Sequence, residues 1–121
     1  MNRPITLPTL DHGPVTLPEP GWCLGHADHA PCHRVDLTHT GAEHRLAFGG
    51  DDLLVAAFTM DPHSTDPERR RTGLYVEQTG WAATLDTDGI RRLAATLTVH
   101  AMHLRQLADQ LARLGDEEAG R

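Results

Sequence analysis

The chain contains no lysine, a single serine and one asparagine, and all 11 of its basic residues are arginine. This bias reflects a GC-rich source and carries no chemistry of its own. The lone Ser64 sits beside His63 in a charged loop without a strand-to-helix elbow, which argues against a hydrolytic nucleophile. There is no His-Glu-x-x-His pair, glycine-rich phosphate loop or dinucleotide fingerprint. No hydrophobic run reaches transmembrane length, and the opening MNRPITLPTL lacks the apolar core of a signal peptide, so a cytoplasmic location is expected. Aromatics make up only 4% of the residues, so leucine, valine and alanine must build the core, with Trp22, Phe48, Phe58, Tyr75 and Trp81 as its few large pieces.

Positive charge is scarce as well. The formal balance is −6, and the only basic run, Arg69-Arg70-Arg71, is flanked by Asp66 and Glu68 as in a solvated loop tip. That balance opposes attraction to phosphate backbones and argues against a nucleic-acid partner. A chain of 121 residues fits one domain, 1–121, divided into an N-terminal hairpin and Cys/His loop (1–40), antiparallel strands (44–85) and a C-terminal helix (87–114).

Both cysteines fall within GWCLGHADHAPCH, residues 21–33, together with three of the nine histidines. In a reducing compartment two such cysteines serve as free thiols or metal ligands; a Cys23–Cys32 disulfide would require oxidising surroundings. Zinc takes thiolate and imidazole ligands in tetrahedral sets, often with two ligands presented by one tight turn. Cys23-Leu24-Gly25-His26 fits such a knuckle, with Gly25 allowing the backbone to curl. The remaining ligands could come from His29, Cys32 or His33 nearby, or from His39 and His12 if the strands converge. Cys23 beside Trp22 also fits a small buried hydrophobe.

The remaining pattern describes an α+β fold: a small antiparallel sheet, an N-terminal Cys/His loop and one long amphipathic C-terminal helix. ITLPTLDHGPVTLPEPGWC reads as a hairpin turning at Asp11-His12-Gly13. RVDLTHT, residues 34–40, alternates as a strand with Val35, Leu37 and His39 on one face. HRLAF and DLLVAAFTM flank a Gly49-Gly50-Asp51-Asp52 turn, the second being apolar enough to lie centrally in a sheet. GLYVEQTGWAATLD suggests a second hairpin with Thr79-Gly80 at its tip. From Asp86 onward, Ile90, Leu93, Leu97, His100, Leu104, Leu107, Leu111 and Leu114 recur at spacings of three and four, with Asp86 or Thr87 as cap and Gly115 as stop. This seam is longer than one small sheet covers, so it predicts a homodimer through the 87–114 helix, or another protein partner.

TLDHGPVTLPEPGWCLGH, VDLTHTGAEHRL and the C-terminal LAATL…HLRQLADQLARL together resemble a family of small uncharacterised proteins from Streptomyces and related actinobacteria, over nearly the whole chain. That family's pattern is Asp-His-Gly, then Pro-x-Trp-Cys-x-Gly-His, then Asp-x-Thr-His-x-Gly. The resemblance implies Cys23, His26 and His39 as metal ligands, His12 as the fourth and Cys32 as its substitute. Related versions carry a further cysteine just upstream of Trp-Cys, where this chain has Pro-Glu-Pro-Gly. It implies no activity. The function expected is a non-enzymatic, zinc-stabilised interaction or regulatory module, with no catalytic residue assigned. The alternatives are a DNA-binding regulator with a helix-turn-helix around Leu97–His100, or a small metalloenzyme using a three-ligand zinc with one position open to water.

Overall fold

Prolines lack the N–H that a strand ladder needs, so they belong on edges, and the N-terminal hairpin sets them opposite one another. In the computed structural model, which describes residues 2–120, β1 (Arg3–Pro8) and β2 (Pro14–Glu19) pair antiparallel, with Pro4 facing Pro18 and Pro8 facing Pro14. At the tip, the backbone N–H and the hydroxyl of Thr9 both donate to the Gly13 carbonyl, at 2.9 and 2.7 Å. Gly13 adopts a φ of 60°, a left-handed conformation that glycine enters without steric penalty. Leu7 and Leu17 are buried with Leu37, and Ile5, Val15 and Cys32 pack against them.

The chain packs as two compact units, one holding the residues up to Ala42 together with Ala57–Leu74, the other Glu43–Ala56 together with the chain from Tyr75 onward. β5 (Asp51–Met60) passes through both. Its first half pairs with β4 (His44–Phe48) across Gly49 and Gly50, whose φ values of 61° and 87° suit a tight two-residue turn. Its far end pairs with β3 (His39–Thr40), which sets His39 opposite Met60 and Thr40 opposite Thr59. β6 (Gly73–Gln78) also pairs with β5, which is therefore the central strand that its apolar sequence indicates.

Two expected strands take another form. Arg34–Asp36 is a 3-10 turn, held by Asp36 N–H donating to the His33 carbonyl at 2.9 Å and anchored by Arg34 N–H donating to Asp11 at 2.9 Å. Leu37 and His39 keep the inward alternation, both 1% exposed, whereas Val35 is 41% exposed. The second hairpin has only one arm. After β6, Thr79 donates its N–H to the Leu53 carbonyl at 3.2 Å, Gly80 turns at a φ of 79°, and Trp81 packs edge-on against Phe48 at 5.9 Å. Packing of the half-buried indole on Phe48 replaces strand pairing there.

The helix α1 (Thr87–Ala119) begins where Asp86 accepts the Gly89 N–H at 2.7 Å. It continues through Gly115, the expected stop, and ends at Gly120, whose N–H returns to the Asp116 carbonyl at 3.0 Å. One glycine inside a helix costs about 1 kcal/mol, too little to end it when helix-compatible residues follow. Leu97–His100 lie within this unbroken helix, which leaves no turn there for a helix-turn-helix. His100 and Leu107 are buried, Leu93, Leu104, Leu111 and Leu114 are half-buried, and Ile90 and Leu97 are exposed.

In the same unit α1 and β4 border a groove of about 500 Å³ lined by Arg45, Leu46, Val99, His100 and His103. His103 Nε2 lies 3.0 Å from His44 Nδ1, and the ring centres of His100 and His103 are 6.1 Å apart. Burial lowers the pKa of His100, and the neighbouring His103 lowers it further. The unfolded chain therefore binds protons more readily. Stability should fall as pH drops below the ordinary imidazole value of about 6.5, until the depressed native value is passed. We predict that His100→Gln makes the melting temperature less steeply dependent on pH over this range, measured in excess chelator. The slope should not vanish, because His39 and His63 are shifted in the same direction. An unchanged slope would refute this role for His100.

Candidate metal centre

The loop that follows β2 is closed by a local turn and tied to the β3 segment by backbone pairing. Cys23 N–H donates to the Pro20 carbonyl at 3.0 Å, and Leu24 N–H donates to the Thr40 carbonyl at 3.0 Å. Cys23 also forms an antiparallel bridge with Gly41. Gly25, with a φ of 98°, curls the chain back so that its N–H points to Cys23 Sγ at 3.4 Å. The knuckle read from Cys23-Leu24-Gly25-His26 is thus formed, and His26 Nε2 comes 3.5 Å from Cys23 Sγ.

The third member arrives from β3. His39 Nδ1 lies 3.2 Å from His26 Nε2, and the donor atoms of Cys23, His26 and His39 all fall within 4.8 Å of one another. Tetrahedral zinc with its usual bond lengths would hold two nitrogens about 3.4 Å apart and a sulfur and a nitrogen about 3.6 Å apart. The spacing matches a site that needs little rearrangement to take an ion. Among the described residues this is the group of Cys, His and acidic side chains able to do so.

Burial prepares His39 for that role. Trp22 meets it edge-on at 6.5 Å and stacks obliquely on Phe58 at 6.1 Å. Burial lowers the His39 pKa, His26 lowers it further, and Glu19 and the Pro18 carbonyl oppose them weakly. The ring is therefore held neutral near pH 7, the form in which imidazole binds a metal. Its buried Nε2 closes no hydrogen bond, so the Pro18 carbonyl acts on the ring without completing one.

The other sequence candidates lie elsewhere. His12 is exposed on the hairpin tip with Nδ1 3.1 Å from Asp11. Cys32 packs against the Leu7, Leu17 and Leu37 cluster. Both cysteines are free thiols, so the disulfide alternative is not realised: Cys23 faces histidines while Cys32 faces leucines. His29 directs Nε2 to the Pro8 carbonyl at 3.2 Å, and His33 precedes the 3-10 turn.

One nearby group was not singled out from the sequence. Glu19 is 8% exposed, and its Oε2 lies 3.9 Å from His26 Nε2. The signal was available, since period-two alternation in VTLPE puts Glu19 in phase with Val15 and Leu17 on the inward face. An open groove of about 400 Å³, lined by Leu24, Gly25, His26, Asp28, Thr38 and Thr40, adjoins the cluster.

Gly41 leaves the room that this arrangement needs. A Cβ there would stand 3.2 Å from the Trp22 carbonyl oxygen and 3.3 Å from its Cε3. Gly41→Val should displace Trp22, destabilise the protein by about 1–3 kcal/mol and shift indole emission to longer wavelength. Unchanged emission and stability would show that the indole is not held by this contact.

DUF6907, a domain of unknown function, matches residues 5–113. No curated protein and no solved structure matches the chain.

Proposed function

The chain belongs to the DUF6907 family, and we propose that it is a non-enzymatic, zinc-stabilised module that binds a second copy of itself or another protein. The observation that carries the metal is the convergence of one thiol and two imidazoles, with donor atoms mutually within 4.8 Å. A thiolate with two neutral imidazoles suits zinc better than calcium or magnesium, which take oxygen ligands. Free thiols accord with a reducing cytoplasm, and the arginine-only basic complement with an actinobacterial source. Among the described residues no helix is long and apolar enough to cross a membrane. The net charge of −6 and the unbroken helix weigh against the DNA-binding alternative.

Because the ligands must be deprotonated and gathered by folding, metal binding and stability are coupled. Protein expressed with zinc should contain about one ion per chain by elemental analysis, and chelation should lower its melting temperature. Cys23→Ser should lose the ion and Cys32→Ser should keep it. Zinc-free protein from metal-replete cells, with a melting temperature indifferent to chelator, would refute the reading.

The partner reading rests on α1, where Ile90, Leu97, Val99 and Met102 are 57%, 45%, 68% and 57% exposed. Ile90 and Leu97 lie seven residues apart on one flank of the half-buried leucine seam, and a two-fold axis would let such a stripe cover its own copy. Light scattering after size exclusion should give a dimer mass, and Leu97→Glu should reduce it to a monomer while leaving the circular dichroism unchanged. A monomer mass for the wild type at tens of micromolar excludes the homodimer.

A further inference from the structure

We propose that Glu19 is the fourth ligand of the metal held by Cys23, His26 and His39, closing its coordination with a carboxylate. The inference rests on the metal-binding reading above and adds a residue to it. Glu19 occupies an inward position at the end of β2, where the same strand face buries Leu17. A carboxylate withdrawn from water to 8% exposure needs a compensating positive charge. Among the described residues its ion-pair partner is His26. Imidazole binds a metal in its neutral form, so once His26 is a ligand the compensating charge has to come from the ion itself. Zn²⁺ with one thiolate, one carboxylate and two neutral imidazoles sums to zero, a balance that a buried site tolerates; without Glu19 the same site retains a net positive charge.

The atom that Glu19 approaches separates a ligand from a supporting group. A carboxylate that merely orients a metal-binding histidine contacts the ring nitrogen turned away from the metal. Glu19 Oε2 instead lies 3.9 Å from His26 Nε2, the same nitrogen that faces Cys23 Sγ at 3.5 Å and His39 Nδ1 at 3.2 Å. All three separations meet at the metal-facing atom. Ligands of a tetrahedral zinc stand about 3.4–3.6 Å apart. Glu19 approaches that separation from His26 alone and lies outside the group whose donor atoms are mutually within 4.8 Å, so it enters the sphere by a side-chain torsion that carries the carboxylate toward Cys23 and His39.

Chain geometry supports the same assignment. Glu19 and Cys23 are four residues apart around the Gly21-Trp22 turn, whose closing hydrogen bond is Cys23 N–H to the Pro20 carbonyl at 3.0 Å. Cys23 and His26 are then joined by the Gly25 knuckle. Two consecutive tight turns therefore deliver three ligands at the spacings zinc sites use, and β3 supplies the fourth.

The test uses cobalt(II) as the metal on the full chain, titrated by its visible absorption, followed by excess azide. The groove beside His26 gives a small anion a route to any open position. The wild type should show the intense bands of a four-coordinate site, unmoved by azide. Glu19→Gln, which keeps the side-chain volume, should weaken cobalt binding by more than the roughly 10- to 100-fold that an outer-shell partner contributes, and its spectrum should then respond to azide. If the wild type binds cobalt but responds to azide, and Glu19→Gln binds equally well, Glu19 is not a ligand and the three-residue site stands with a water in its fourth position. If the wild type binds no cobalt, the metal reading itself fails and the fourth-ligand assignment fails with it.

Discussion

An imidazole almost wholly withdrawn from solvent governs the first unit. His39, 1% exposed, is held by the pairing of β3 with the end of β5, roofed by Trp22 and turned toward His26. A buried ring with an unpaired Nε2 is costly by itself. The surrounding structure accepts that cost: a glycine at 41 lets the indole approach, and a neutral ring is what burial favours. An ion at Nδ1 would not pair Nε2, but it would engage the ring's other nitrogen, on the side where Cys23 and His26 converge.

The second unit answers a different constraint. A 33-residue helix buries a narrow stripe, with His100 near its middle and Leu107 seven residues, about two turns, beyond it, while much of its circumference stays in solvent. Helices of this length draw stability from whatever covers their apolar face. Here β4 covers part of it, with His44 meeting His103 and Arg45 held between Glu43 and Asp52.

These two constraints favour a structural use for an ion, were one held by Cys23, His26 and His39. The donor set is gathered by turns and by one strand pairing, so an ion there would tie the loop after β2 to the central strand. Such a tie adds stability where the leucine core is small: Leu7, Leu17 and Leu37 are its buried members. Exposed apolar side chains occur in both units, Leu10, Leu24 and Val35 in the first and Tyr75, Val76, Ile90, Leu97, Val99 and Met102 in the second.

Features that depend on neighbours along the chain were legible in the sequence. The Asp86 cap, the Gly49-Gly50 turn, the Asp11-His12-Gly13 tip and the Cys23–His26 knuckle are short-range, and residue type with spacing determines them. Alternation likewise marked Leu37 and His39 as inward. The missing second arm after Gly80 and the 3-10 turn at Arg34–Asp36 were not legible, because Trp81 packing on Phe48 and Asp11 holding Arg34 join residues far apart in sequence. The choice among nine histidines was equally a tertiary matter. The hairpin left His12 on its exposed tip, leucine packing drew Cys32 away, and the β3–β5 pairing brought His39 to His26 with Glu19 alongside. Residue chemistry alone determined that this chain could hold a metal; long-range strand pairing decided which side chains share a site, because only folding brings their donor atoms within bonding distance of one point.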